Sequence, residues 1–193
     1  MPNYRRSFVP GGTYFFTLVT YQRQRILCDD IVRLALHEAI VTTRRKHPFK
    51  SDAWVLLHDH LHCILTLPDG DDDYSKRWSM IKRLVTQQVG GAHAAPYGDQ
   101  TVGCASRTNP ISASRKKRRE GNIWQRRFWE HQVRDEQDLN RCRDYLHWNP
   151  VKHGLVSQVN DWPYSTFHRF VNDGIYERHW GGSGIKDDSG FGE

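Results

Sequence analysis

No stretch of this sequence holds about 18 consecutive apolar residues, so a membrane-spanning helix is not expected. The start, Met1-Pro2-Asn3-Tyr4-Arg5-Arg6, has no apolar segment behind it, so no secretory signal is expected either. Cysteine is scarce: Cys28, Cys63, Cys104 and Cys142 stand far apart. They form no C-x-x-C pair and no dense framework. A disulfide scaffold is thereby excluded, and reduced thiols in a cytosol are the expectation. Aromatics, by contrast, are plentiful. Seven Trp and eight Phe argue against wholesale disorder.

A chain of 193 residues is long enough for one domain with a real core. Residues 1–180 are read as that domain and 181–193, rich in Gly and Asp, as a frayed tail. Lys and Arg outnumber Asp and Glu by 28 to 22. A basic surplus favours a polyanionic partner, although many basic proteins bind no nucleic acid.

The order of elements reads β-α-β-β-α-β-α. Tyr14 to Tyr21, rich in aromatic and β-branched residues, follows Pro10-Gly11-Gly12 and predicts a first strand. A helix capped by Asp29 or Asp30 runs to about His47, with Val32, Ala35, Leu36, Ala39 and Ile40 on its apolar face. Ala53 to Leu57 and His60 to Leu67 predict two further strands, joined through His58-Asp59 as a tight turn or a bulge. Trp78, Ile81, Leu84, Val85 and Val89 mark a second helix capped by Ser75. Residues 90–121 lack periodicity, carry the run Arg115-Lys116-Lys117-Arg118-Arg119, and read as a long mobile basic loop. A strand from Phe128 to Val133 precedes a third helix from Asp135 to Asn149-Pro150, and a tail with Trp162-Pro163-Tyr164-Ser165 packs on the body. The expected fold class is α+β, a ferredoxin-like split βαβ with an antiparallel sheet. Two helices cover one face, and the third helix can lie against the opposite one.

Residues at i and i+2 of a strand share a face. His60 and His62 therefore point together to one side, with Leu61, Cys63 and Leu65 under the helices. Two neutral imidazoles so placed can hold a divalent ion. An H-x-H triplet also arises as two surface histidines, and His58 extends it to a pattern that suits zinc. On the third helix Leu139, Cys142 and Leu146 form a buried stripe with Tyr145 at its edge. Asn149 lies one turn beyond Tyr145 on the same side. By themselves these two read as a core-boundary aromatic and a helix-end residue before Pro150. Taken with the histidines, they supply a tyrosine nucleophile and an amide-oxygen ligand.

Five stretches carry a resemblance: Tyr4-Arg5-Arg6 through Gly11-Gly12-Thr13-Tyr14-Phe15-Phe16-Thr17; Ala53-Trp54-Val55-Leu56 through His60-Leu61-His62-Cys63-Ile64; Asn122-Ile123-Trp124-Gln125-Arg126-Arg127-Phe128-Trp129-Glu130-His131; Asp144-Tyr145-Leu146-His147-Trp148-Asn149-Pro150-Val151-Lys152-His153-Gly154; and Asp161-Trp162-Pro163-Tyr164-Ser165-Thr166-Phe167-His168. In order and spacing they resemble the HUH single-tyrosine transposases, most closely the REP-associated tyrosine transposases of bacteria, over roughly residues 4 to 180. The resemblance implies that His60 and His62 bind metal and that Asn149 is a polar third ligand. It implies Mg²⁺ or Mn²⁺ as the ion, and Tyr145 as the nucleophile that becomes linked to the 5′-phosphate of cut DNA. The implied partner is single-stranded DNA bearing a palindromic hairpin, handled in a bacterial cytoplasm in association with the nucleoid. His58 stands where relatives often have proline, and residues 90–121 form a longer connection than usual.

A hairpin offers phosphates to basic side chains and unpaired bases to aromatics. The candidates are Arg5, Arg6, Lys82, Arg83, Trp124, Arg126, Arg127, Lys152 and His153. Trp124, Phe128 and Trp129 also read as core, and seven Trp cannot all be contacts. The competing functions are a hydrolase with water as nucleophile and a hairpin-binding regulator without catalysis. The tail after His153 can pin the third helix within its own chain, so a monomer is expected rather than a helix-exchanged dimer.

Overall fold

The computed structural model describes residues 6–92 and 122–181. Strands β1 (Thr13–Val19), β2 (Lys50–Leu56), β3 (His60–Thr66) and β4 (Trp129–Gln132) form one sheet in the order β2-β3-β1-β4, with all neighbours antiparallel. Helices α1 (Asp30–Lys46), α2 (Tyr74–Ala92) and α3 (Glu136–Lys152) follow in the expected places. This is the split βαβ, ferredoxin-like arrangement. A short α4 (Phe167–Asn172) is additional and carried no sequence signal. Among the described residues no helix is long and apolar enough to cross a membrane.

Period-two alternation divides the sheet's side chains between two cores. Tyr14, Phe16 and Leu18 of β1 and Leu61, Cys63 and Leu65 of β3 pack against Val32, Leu36 and Ala39 of α1 and Trp78, Ile81 and Val85 of α2. Phe15, Ala53, Val55 and Ile64 point the other way and meet Cys142, Tyr145 and Leu146 of α3. With both faces covered, β3 is buried along nearly its whole length. That burial forces His60 and His62 into a shielded layer rather than onto a wet surface.

Helix α3 is held to the sheet by polar ties as well as packing. Asp135 caps it, its side chain accepting from the Asp138 amide at 2.8 Å. Arg143 donates from Nε and Nη2 to the two oxygens of Asp52 on β2, at 2.7 and 2.8 Å. His131 Nε2 of β4 is hydrogen-bonded to Asp138 Oδ2 at 2.9 Å. The tail packs on the body as expected. Trp162 Nε1 donates to the Leu56 carbonyl at 3.0 Å, the Leu56 amide donates to the Tyr164 carbonyl at 2.9 Å, and Ser165 bridges Val55.

Several local expectations are corrected. Helix α2 begins at Tyr74, so its cap is Asp73, whose Oδ1 accepts from the Lys76 amide at 2.8 Å, and not Ser75. Asp caps a helix as well as Ser does, and Ser75 instead accepts from Arg6 Nη1. Helix α3 runs through Pro150 to Lys152 instead of stopping there. Proline removes one donor, but the Asn149 and Pro150 carbonyls still accept from the His153 and Leu155 amides, which closes the last turn. Tyr145 is inside the buried layer rather than at its edge. The His58-Asp59 junction is a tight turn, closed by the Leu57 amide on the His60 carbonyl at 2.9 Å. Helix α2 takes residues 90–92 from the expected loop. Arg5, the rest of that loop with its basic run, and residues 182–193 lie outside the described residues.

Candidate active site

The site is assembled from one strand and one helix. His60 and His62 are 2% and 0% exposed, and their ring centroids lie 5.0 Å apart on the α3 side of β3. Antiparallel register sets Thr17 of β1 opposite His62, and Thr17 Oγ1 is hydrogen-bonded to His62 Nδ1 at 2.9 Å. Asp59, the last residue of the tight turn, brings Oδ1 to 2.7 Å from His60 Nδ1. A carboxylate accepts, so the His60 Nδ1–H donates to Asp59, and in the neutral ring the lone pair is on Nε2. The His60 hydrogen bond, with help from Arg23, holds the Asp59 carboxyl below the usual carboxylate range. The Nε2 atoms of both histidines and Oδ1 of Asn149 are shielded from solvent.

Tyr145 is 3% exposed, and its ring meets His62 at 5.6 Å and Phe15 at 6.0 Å. Two helical turns later Lys152 returns to the same spot. Its Nζ donates to Tyr145 Oη at 3.2 Å and lies 4.9 Å from the ring centre. Asn149, fully buried, falls between them on the same helix face. His153 follows, its ring 5.0 Å from that of His60. His62 on the strand and Tyr145 on the helix are thus in contact rather than on opposite surfaces.

These donors fit a divalent ion. Two imidazoles with Nδ1 already engaged present Nε2, and an amide oxygen adds a hard ligand. His58 stands apart from the alternation because it sits in the turn, where its ring edges onto Trp162 at 5.6 Å. The three-histidine zinc pattern therefore loses its strand geometry. A second set of metal-capable groups, His131, Asp138 and Cys142, has ligand atoms within 4.8 Å of one another. Its carboxylate is already occupied by His131, the Arg134 amide and Arg141, at 2.9, 3.1 and 3.1 Å. Burial pushes the Cys142 thiol up to about 12, leaving it protonated at neutral pH. The His131–Asp138 hydrogen bond within that set also ties β4 to α3.

The DNA-binding candidates divide. Arg126, Arg127, Arg83 and His153 are exposed. Arg83 also donates to Gln87 at 3.2 Å. Arg6 is committed internally, with Nε 3.4 Å from Glu130 and its guanidinium 4.6 Å over Phe128. Lys82 donates to the Gln125 and Arg126 carbonyls at 2.9 and 3.5 Å, and burial pulls its pKa down to about 8. Its ammonium braces the segment before β4. Trp124 is a correction. It is 5% exposed and packed in the α1–α2 core, with no open ring face for a base to stack on. Sequence reasoning missed Thr17, Asp59 and Arg23. Only Asp59 carried a signal, a carboxylate directly preceding His60.

No family model matches the chain. A REP-associated tyrosine transposase of Escherichia coli (strain K12) is 42% identical over 182 residues, covering 94% of this chain and 92% of that protein. A putative REP-associated tyrosine transposase from Haemophilus influenzae (strain ATCC 51907 / DSM 11121 / KW20 / Rd) is 40% identical over 183 residues, 95% of each chain. A solved REP-associated tyrosine transposase bound to a REP hairpin superposes with a TM-score of 0.76 at 40% identity, covering all of this chain and 98% of that one. Identity of this order across nearly the whole length means that the chain belongs to the REP-associated tyrosine transposases.

Proposed function

We propose that this protein is a metal-dependent, single-strand DNA transposase that cleaves and rejoins DNA beside a REP-type hairpin through a covalent phosphotyrosine at Tyr145. The observation that carries the reading is the contact between the Tyr145 ring and His62, which puts a nucleophile beside a potential cation site. The solved relative bound to a REP hairpin supports the substrate class. A substrate of that kind implies action on bacterial chromosomal DNA in the cytoplasm.

In the forward step Tyr145 Oη attacks the scissile phosphorus. An Oη–P bond forms, the P–O3′ bond breaks, and the departing 3′ oxygen takes up a proton. The phenol gives its own proton to solvent water, which balances the one taken up at O3′. The Lys152 ammonium, 3.2 Å from Oη, stabilises negative charge on that oxygen. His60, His62 and Asn149 would hold Mg²⁺ or Mn²⁺, which supplies Lewis-acid polarisation of a phosphate oxygen. Thr17 and Asp59 keep the two imidazoles oriented. Rejoining is the reverse exchange: a 3′-hydroxyl attacks the phosphotyrosine and releases Oη. Exposed Arg126, Arg127, Arg83 and His153 bind backbone phosphates. The working unit is a monomer, since the Arg143–Asp52 pair and the returning tail tether α3 to its own sheet.

Incubation with a REP hairpin carrying single-stranded flanks and Mn²⁺ tests the mechanism. Wild type should give a denaturation-resistant protein–DNA adduct, and Tyr145→Phe none. An equal adduct in both proteins would move the nucleophile elsewhere. Cleavage by wild type without any adduct would favour water as the nucleophile.

A further inference from the structure

A cleft of about 220 Å³ opens beside His60, and Arg23, Arg25, His58, Asp59 and His153 line it. The proposed chemistry gives the arginines no role, and no sequence motif singled them out. Both are exposed, and His153 brings an imidazole to the same wall. The single carboxylate is already engaged. Asp59 accepts from His60 at 2.7 Å and pairs with Arg23 Nη1 at 3.5 Å. The lining therefore has a surplus of donors and positive charge, next to the side chain proposed to hold the cation.

The backbone behind this wall is strained. Gln22 and Arg23 have φ of 55° and 52°, the left-handed region that non-glycine residues seldom adopt. The surroundings enforce it. The Arg23 amide donates to the Thr20 carbonyl at 3.2 Å, and the single Thr20 hydroxyl proton lies within reach of the Gln24 and Asp59 carbonyls, with Oγ1 at 2.8 and 2.9 Å. The Tyr21 amide donates to the Ile123 carbonyl at 2.8 Å. Strain of this kind persists only where neighbouring structure holds it, often at ligand sites. Its effect here is to direct the Arg23 side chain towards Asp59 and the cleft.

We infer that this cleft is a phosphodiester subsite, in which Arg23 and Arg25 bind a backbone phosphate of the single strand adjoining the scissile one. The inference rests on the proposed single-strand reaction and assigns these residues to positioning the strand. A guanidinium offers paired donors to phosphate oxygens, and its position beside His60 sets where the next phosphate along must lie.

The test separates binding from chemistry. Tyr145→Phe protein in EDTA is titrated with two labelled probes: a REP hairpin with a single-stranded flank and the same hairpin without it. Arg23→Gly suits the positive φ while deleting the charge, and exposed Arg25→Gln can be changed without disturbing the core. In the paired variant the flanked probe should bind more weakly. Its slope of log affinity against log salt should be shallower by about 0.7 for each single-strand phosphate that the arginines no longer neutralise. The bare hairpin should bind unchanged, and Arg25→Lys should keep most of the slope. An unchanged slope on the flanked probe, or equal weakening on both probes, would overturn the subsite. Failure of the underlying reaction would show separately, as a wild-type protein that forms no Tyr145-dependent adduct in Mn²⁺.

Discussion

Asp59 couples two neighbours through one carboxylate: it orients His60 and receives Arg23. Outer partners of metal-binding histidines typically contribute about 10–100-fold to metal affinity. Asp59→Asn should therefore weaken Mn²⁺ binding by about that factor in calorimetry without DNA, and unchanged affinity would show that His60 needs no such partner. Arg77 gives a stability prediction. It is 1% exposed, yet its guanidinium is satisfied by Asp71 at 2.7 and 3.1 Å, by the Pro48 carbonyl at 2.6 and 3.2 Å and by the Asp73 carbonyl at 2.9 Å. The Arg77 hydrogen bond holds the Asp71 carboxyl below its ordinary value. The folded protein thus binds fewer protons there than the unfolded chain, so the contribution is full at neutral pH. It is lost as pH falls below about 4. Removing one partner of a fully buried pair costs roughly 3–5 kcal/mol. Asp71 is 37% exposed, so Asp71→Asn should cost about 2 kcal/mol at pH 7 after allowance for screening. The gap to wild type should narrow in denaturant melts as pH falls below the ordinary carboxylate range.

The element that matters most is α3, because Tyr145, Asn149 and Lys152 all ride on it. Its half-buried Arg143–Asp52 pair is bidentate, and charge-assisted bonds of this kind contribute about 1.5–3 kcal/mol. Asp52→Ala should destabilise the fold by about 2 kcal/mol. Hydrogen exchange should speed up in α3 before it does in α1 and α2. Uniform acceleration across all three helices would mean that α3 does not loosen separately. Much of this arrangement is legible in the sequence. The alternation through Leu61, Cys63 and Leu65 tells which way His60 and His62 face, and the four-residue step from Tyr145 to Asn149 tells that they share a side. The misses have physical causes. Asp73 and Ser75 are equally good caps, so composition could not choose between them. Pro150 reads as a stop signal, yet the turn around it closes through the His153 and Leu155 amides, a tertiary detail with no local pattern. Thr17 and Arg23 reach the site through strand register and a left-handed turn, neither of which leaves a local pattern.

At the scale of the whole molecule, hydrogen bonds from Thr17 and Asp59 already fix the orientation of both imidazoles. Removal of metal by EDTA should leave the thermal midpoint close to its value in plain buffer. Added Mn²⁺ should raise it by mass action, in proportion to the logarithm of its concentration above the dissociation constant. His62→Ala should abolish that rise, and a rise that survives the substitution would place the ion elsewhere. The seam between β3 and α3 has one more consequence. With His62 and Tyr145 almost wholly sealed, a phosphodiester made to the phenol would sit where bulk water cannot easily reach it. In the proposed reaction one ester would be exchanged for another of similar energy. The broken strand would stay chemically charged until a free sugar end comes back, and its repair would need no nucleotide fuel.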